Sequence, residues 1–351
     1  MAAPLLPLAS DTESRPSAAM RAAMAHAEVG DEQKGQDPTV NRLLERVGDL
    51  LGTEAALFLP SGTMCNLVAL KAHTRPGDLV LVERDAHIAR AEAGGAALAA
   101  GVQLEALDGA DGRFDGATLA AAWQRTRLAP ATHAPPATLV CVEQTHNYSG
   151  GTVWPLAQLQ EVAAVARRLD LALHLDGARL FNAAVASGVA PTHFAACADS
   201  VWVDFTKGLG APLGAVLAGP APFIAAARRY KHAFGGALRQ AGVVAAGCLH
   251  ALDHHVERLA EDHRRARDLA AGLAAIDGIA VVNPRPESNI VLFEVAGLGF
   301  DAPAFLAAAA GRGVGFSAVG ARIRAVTHLD VDDAAIAAAV AAVAALAAGR
   351  P

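Results

Sequence analysis

The chain has 351 residues, of which 53% are apolar and 18% charged, and its net charge is −6. This excludes a disordered chain, allows a sizeable core and leaves no basic footprint for nucleic acid. The opening MAAPLLPLAS lacks the Lys or Arg of a secretory leader, and no apolar run reaches the roughly 20 residues that span a bilayer, so a cytoplasmic protein off the membrane is expected.

Along the chain, short β-branched or Leu-rich runs alternate with helical spacing. Strands are predicted at 56–59, 79–82, 102–105, 138–143, 171–176, 201–205 and 214–218, with helices such as 39–51 and 156–168 between them. Such alternation predicts an α/β fold with a mostly parallel, mixed sheet covered on both faces. A continuous helical stretch is expected over 240–276. Four more strands follow at 279–282, 288–295, 313–317 and 322–326, then a last helix over 332–347. The division expected is an N-terminal arm with a large domain over 1–248 and a smaller α+β domain over 249–351. Cys65, Cys141, Cys197 and Cys248 stand singly without metal or disulfide spacing, so they are expected to be buried, and no metal site is expected.

In open α/β sheets ligands bind beyond the carboxyl ends of the strands, which directs attention to Ser61-Gly62-Thr63, Glu143, Asp176 and Lys207. Asp176 ends the apolar run LALHLD; a helix-capping carboxylate would satisfy the same position. Lys207 ends VWVDF and precedes two glycines, and it is one of only four lysines against 25 arginines. A lysine kept where arginine is the default suggests a need for an amine, since guanidinium cannot form an imine. Ser61-Gly62-Thr63 opens an apolar helix, whose free N–H groups suit an anion. A phosphate cradle, a carboxylate for a ring nitrogen and a lysine for a Schiff base are together the requirements of pyridoxal 5′-phosphate.

With these residues in place the chain resembles the low-specificity L-threonine aldolases, pyridoxal-phosphate enzymes of fold type I, the aspartate-aminotransferase-like fold. The matching stretches include Ser10-Asp11-Thr12, Asp37-Pro38-Thr39, PSGTMCN around Gly62, and His87 with EAGG after it. They continue with Thr145-His146-Asn147, HLDGARLFNA around Asp176, KGLGAPLG from Lys207, LRQAG at Arg239 and RAVTHLD at Arg324. The resemblance implies that Lys207 carries the cofactor, that Asp176 faces its ring nitrogen and that His87 stacks on its ring. Gly62 and Thr63 would bind the phosphate with help from Arg239 of a neighbouring subunit, and Ser10, Arg179 and Arg324 would hold the substrate carboxylate. His133, in the Pro-rich loop 130–136, would take the proton of the β-hydroxyl. A homotetramer with active sites shared between subunits is implied too.

The implied activity is cleavage of a 3-hydroxy-2-amino acid, such as L-threonine, L-allo-threonine or phenylserine, to glycine and an aldehyde. A β-eliminating lyase or an aminotransferase is the alternative. A cofactor-sensing regulator would need a DNA-binding segment, and no basic helix-turn-helix pattern precedes residue 40. The run GDEQKGQDPT departs from the family pattern at Lys34 and Gln36, which bears on the aldehyde portion accepted. Lys231 and His232 both compete to be the family's phosphate lysine.

Overall fold

The computed structural model describes residues 5–349; residues 1–4, part of the opening segment read above, and 350–351 lie outside it. Seven strands form the main sheet: β1 (Ala55–Leu59), β2 (Leu79–Glu83), β3 (Gln103–Leu107), β4 (Ala137–Glu143), β5 (Ala172–Gly177), β6 (Ser200–Asp204) and β7 (Ala215–Gly219). Their spatial order is β1-β7-β6-β5-β4-β2-β3. The pairs β2–β3, β2–β4, β4–β5 and β5–β6 are parallel, and β7 runs antiparallel to both β6 and β1. Every residue of β2, β6 and β7 is buried, as expected of strands covered on both faces. The sheet is thus mixed and mostly parallel. Because β7 reverses twice, β1 points the same way as β6, and the carboxyl ends of β1, β2, β4, β5 and β6 share one edge.

The helices start where local chemistry dictates. In Pro38–Leu51, Asp37 caps the first turn by accepting from Thr39 N at 3.1 Å and Val40 N at 3.0 Å, and Pro38 occupies the first position. Val40, Leu43, Val47 and Leu51 are buried at helical spacing. In Gly62–His73, Ser61 is the cap, its Oγ accepting from Met64 N at 3.3 Å.

The long helix expected over 240–276 divides into Gly242–His254 and Leu259–Ala274. At the break, buried His255 bonds through Nδ1 to Leu209 O at 2.7 Å, and Arg258 pairs with buried Asp262. A tertiary contact beside Lys207 therefore stops the first helix. Residues up to Leu259 pack with the main core, whereas Ala266, Leu269 and Leu273 join a second core around Phe293, Phe305 and Phe316.

That second core backs a four-stranded antiparallel sheet of β8 (Ala280–Val281), β9 (Ile290–Glu294), β10 (Ser317–Val319) and β11 (Arg322–Val326), in the order β10-β11-β9-β8. The run expected over 313–317 is not one strand. Val314–Gly315 pairs in parallel with Leu6–Pro7 of the N-terminal arm, and Ser317 begins β10. Leu8 is buried in the second core, so the arm is clamped to the small sheet before residues 10–14 reach the large domain. All four cysteines are buried. Among the described residues no helix is long and apolar enough to cross a membrane, and no cluster of His, Cys, Asp or Glu could hold a metal ion.

Candidate active site

A cavity of about 320 Å³ opens at the shared carboxyl edge of the sheet, between the large domain, the N-terminal arm and β11. Ser10, Gly62, Thr63, His87, Asp176, Arg179, Lys207 and Arg324 all line it.

Asp176 ends β5 and is 4% exposed. Its Oδ2 accepts from Asn66 Nδ2 at 2.7 Å and its Oδ1 from Ala178 N at 3.0 Å. Burial, with Glu143 and Glu92 close by, raises its pKa from 3.8 to about 7. Burial and the two carboxylates outweigh the Asn66 donor and His87, and a protonated ring nitrogen would favour the anion further. Lys207 follows β6, and its Nζ donates to Asp204 Oδ2 at 2.7 Å. Asp204 fixes its own other oxygen on Thr206, from the backbone N at 2.9 Å and Oγ1 at 2.8 Å. The lysine is held by one hydrogen bond over the cavity floor, with Nζ 5.6 Å from the Trp202 ring centre.

His87 opens a short helix after β2. Its Nδ1 lies 2.9 Å from Glu92 Oε1, and its backbone N donates to Glu143 Oε2 at 2.6 Å. The hydrogen bond to Glu92 raises the imidazole pKa above its ordinary value. A carboxylate on Nδ1 fixes the ring and leaves Nε2 for the cavity. Gly62 lies against Trp202, where a Cβ would stand 2.2 Å from Cη2 of the indole. Only glycine lets the helix N-terminus settle so close to the cavity floor, which is the cradle a phosphate group needs.

Two arginines sit side by side with different duties. Arg179 closes its fork on Asp11, with Nε to Oδ2 at 2.7 Å and Nη2 to Oδ1 at 2.8 Å, and both residues are buried. Asp11 is held well below the usual carboxylate range by that guanidinium, although burial opposes it. Arg324, on β11, donates only to neutral acceptors: Asn147 Oδ1 at 2.9 Å, Ser317 Oγ at 3.1 Å and Ala9 O at 3.2 Å. Burial and the neighbouring Arg179 cation lower its pKa. Among the described residues no carboxylate pairs with Arg324, so it is the cation ready for an incoming anion. Asp11 thus engages Nε and Nη2 of Arg179, while its Nη1 donates to Asn147 Oδ1 at 3.3 Å and the residue still lines the cavity beside Arg324.

Two expected residues lie elsewhere in this chain. His133 is exposed in the loop before β4, at the opposite end of that strand from Glu143, and a seven-residue strand separates them by roughly 20 Å. The loop therefore does not bring it to its own chain's cavity. Arg239 is 67% exposed, 3.8 Å from Asp31, and does not line the cavity. Of the competing phosphate groups, Lys231 is buried in a 2.5 Å contact with Glu32, and His232 is exposed away from the site. Lys34 is 69% exposed beside Asp31. Residues that sequence reasoning left without a role are Asn66, Glu92, Asn147, Asp204 and Asp11. All but Asp204 fall inside stretches that carried the family resemblance, so the signal was present without the roles.

Residues 7–297 match the beta-eliminating lyase family. The chain is 42% identical over 270 residues to the low specificity L-threonine aldolase of Escherichia coli K12, covering 77% of this chain and 79% of that one. The chain belongs to the threonine aldolases of the beta-eliminating lyase family. It is 45% identical over 264 residues to an uncharacterized protein of Caenorhabditis elegans, which is 75% of this chain but only 63% of that relative's length. The fold is that of the Leishmania major threonine aldolase, with a TM-score of 0.83 at 22% identity over 97% of this chain and 98% of that one. As a member, the chain is a fold type I lyase of the threonine aldolase type with pyridoxal 5′-phosphate as cofactor. The buried Asp176 with its raised pKa, the Gly62 cradle and the singly held Lys207 fit that group.

Proposed function

We propose that this chain cleaves the Cα–Cβ bond of L-threonine, L-allo-threonine or a related 3-hydroxy-2-amino acid such as phenylserine, releasing glycine and an aldehyde. The observation that carries the reading is Arg324, a half-buried cation without a carboxylate partner, in the same cavity as Lys207 and Asp176. An α-amino acid offers the carboxylate that Arg324 lacks. Held there, with Ser10 Oγ at the cavity wall, the substrate keeps its Cα–Cβ bond in one orientation. Pyridoxal phosphate, when bound, supplies the electron sink for the pair left at Cα. Lys207 Nζ anchors it, Gly62 and Thr63 receive its phosphate, and Asp176 holds the proton on its ring nitrogen. His87, set by Glu92, has Nε2 free to accept the β-hydroxyl proton, a role worth about 10²- to 10⁴-fold in rate. His133 and Arg239 reach an active site only from a neighbouring copy. They would do so in a homotetramer with shared sites, which we place in the cytoplasm.

A panel of L-threonine, L-allo-threonine, L-phenylserine and 3-hydroxyaspartate tests the reading. Glycine and aldehyde in equal amounts are expected. Pyruvate with ammonia would assign a β-eliminating lyase, and keto-acid-dependent amino transfer an aminotransferase.

A further inference from the structure

Behind the cavity a string of buried side chains leads away from Asp176, and the direction of every hydrogen bond in it follows from one fixed donor. An indole nitrogen can only donate, and Trp202 Nε1 lies 2.7 Å from Asn66 Oδ1. The amide nitrogen of Asn66 is therefore the atom facing Glu92 Oε1 and Asp176 Oδ2, each 2.7 Å away. His174 Nε2 stands 3.2 Å from the same Oδ1, which has only lone pairs to offer, so the imidazole proton is on Nε2. Burial pushes the His174 pKa down to about 3 and that of His73 to about 4, so each ring is neutral with one N–H. His174 Nδ1 must then accept from Ser200 Oγ at 2.8 Å, and Ser200 Oγ accepts from His73 Nε2 at 2.7 Å. Asn66, His174 and Ser200 are at most 1% exposed, and none lines the cavity.

We propose that His73, Ser200, His174 and Trp202 are positioning residues that lock Asn66 with one amide hydrogen on Asp176 and the other on Glu92. The lock keeps Asp176 anionic toward a bound ring nitrogen and holds Glu92 Oε1 in place against His87 Nδ1. This rests on the reading of the cavity as a pyridoxal phosphate site. The charged and titratable groups facing Asp176 are Glu143 from β4, Glu92, and His87 from the short helix after β2. The two carboxylates and burial favour the neutral acid, while the Asn66 N–H and His87 favour the anion. Without the Asn66 donor, less of Asp176 is ionised at neutral pH.

The test is a titration of the cofactor-depleted full chain with pyridoxal phosphate, followed by visible absorbance from pH 6 to 9. Affinities of Asn66→Ala, His174→Phe and His174→Gln are read as ratios to the unsubstituted chain. Asn66→Ala is expected to bind about fivefold more weakly at pH 7, the fall in ionised Asp176 when a pKa of about 7 rises by one unit, with the deficit shrinking toward pH 9 as Asp176 ionises regardless. His174→Phe should show the same pH-dependent deficit at a smaller size, about twofold. His174→Gln, whose amide N–H can replace Nε2–H, should recover most of it. Should Asn66→Ala not fold, the two His174 variants decide. A deficit independent of pH, a His174→Phe chain that binds like the parent, or a Gln variant no better than Phe would overturn the inference while leaving the cofactor site standing. A parent chain that takes up no cofactor would overturn both.

Discussion

Replacing Asp176 by Asn should stabilise the cofactor-free chain while weakening its hold on the cofactor. The carboxyl titrates at about 7 in the fold, against 3.8 when unperturbed, because of burial and then Glu143 and Glu92. A group whose pKa is raised by folding leaves stability intact below its unfolded value and removes it as pH climbs through the folded one. The loss is about 2 kcal/mol at pH 5 and about 4 kcal/mol at pH 8. An asparagine side chain cannot ionise, so the variant escapes both amounts. Any change in the hydrogen bonds from Asn66 and Ala178 is the same at either pH and cancels in the difference. Urea unfolding at fixed protein concentration, without cofactor, should show the advantage of the Asp176→Asn chain growing by about 2 to 3 kcal/mol from pH 5 to pH 8. With saturating pyridoxal phosphate the order should reverse, since the Asp176 carboxylate of the unsubstituted chain then meets the protonated ring nitrogen. An advantage equal at both pH values would refute this, for it would mean that Asp176 is not a buried carboxyl with a raised pKa.

Other substitutions separate binding from chemistry. Arg324→Ala should lower kcat/KM by about 30- to 1,000-fold, the equivalent of about 2 to 4 kcal/mol for a charged hydrogen-bonded contact, with cofactor affinity unchanged in an absorbance titration. His87→Phe keeps an aromatic ring but no proton acceptor. It should reduce kcat by about 10²-fold or more with the cofactor spectrum nearly intact, whereas a normal kcat would remove His87 as the base. Gly62→Ala should lower the thermal midpoint and the cofactor affinity, because its Cβ would stand 2.2 Å from the Trp202 indole. Overpacking of this kind is worth about 1 to 3 kcal/mol, and adding Trp202→Phe should restore part of it.

The seven main strands and the sites at their ends were legible because most of them are short buried runs followed by a turn. Lys207 and Asp176 stood out as ionisable residues closing such runs. The division of the long helix at residues 255–258 was not legible, since no Pro or Gly marks it. It depends on His255 meeting Leu209 O, a contact that exists only once the chain has folded. The pairing of Asp11 with Arg179 spans 168 residues, so local pattern could not show it. His133 is placed by extended chain away from its own chain's cavity. Ten residues before Glu143 sounds close, but extended chain turns that interval into the length of the sheet.

The account depends most directly on Lys207 being the amine that meets the cofactor. Borohydride reduction of the chain loaded with pyridoxal phosphate, followed by proteolysis and mass spectrometry, reads that out. The pyridoxyl label is expected on Lys207 alone, and Lys207→Ala should carry none. A label on Lys34, Lys71 or Lys231, or one that persists in Lys207→Ala, would contradict the account.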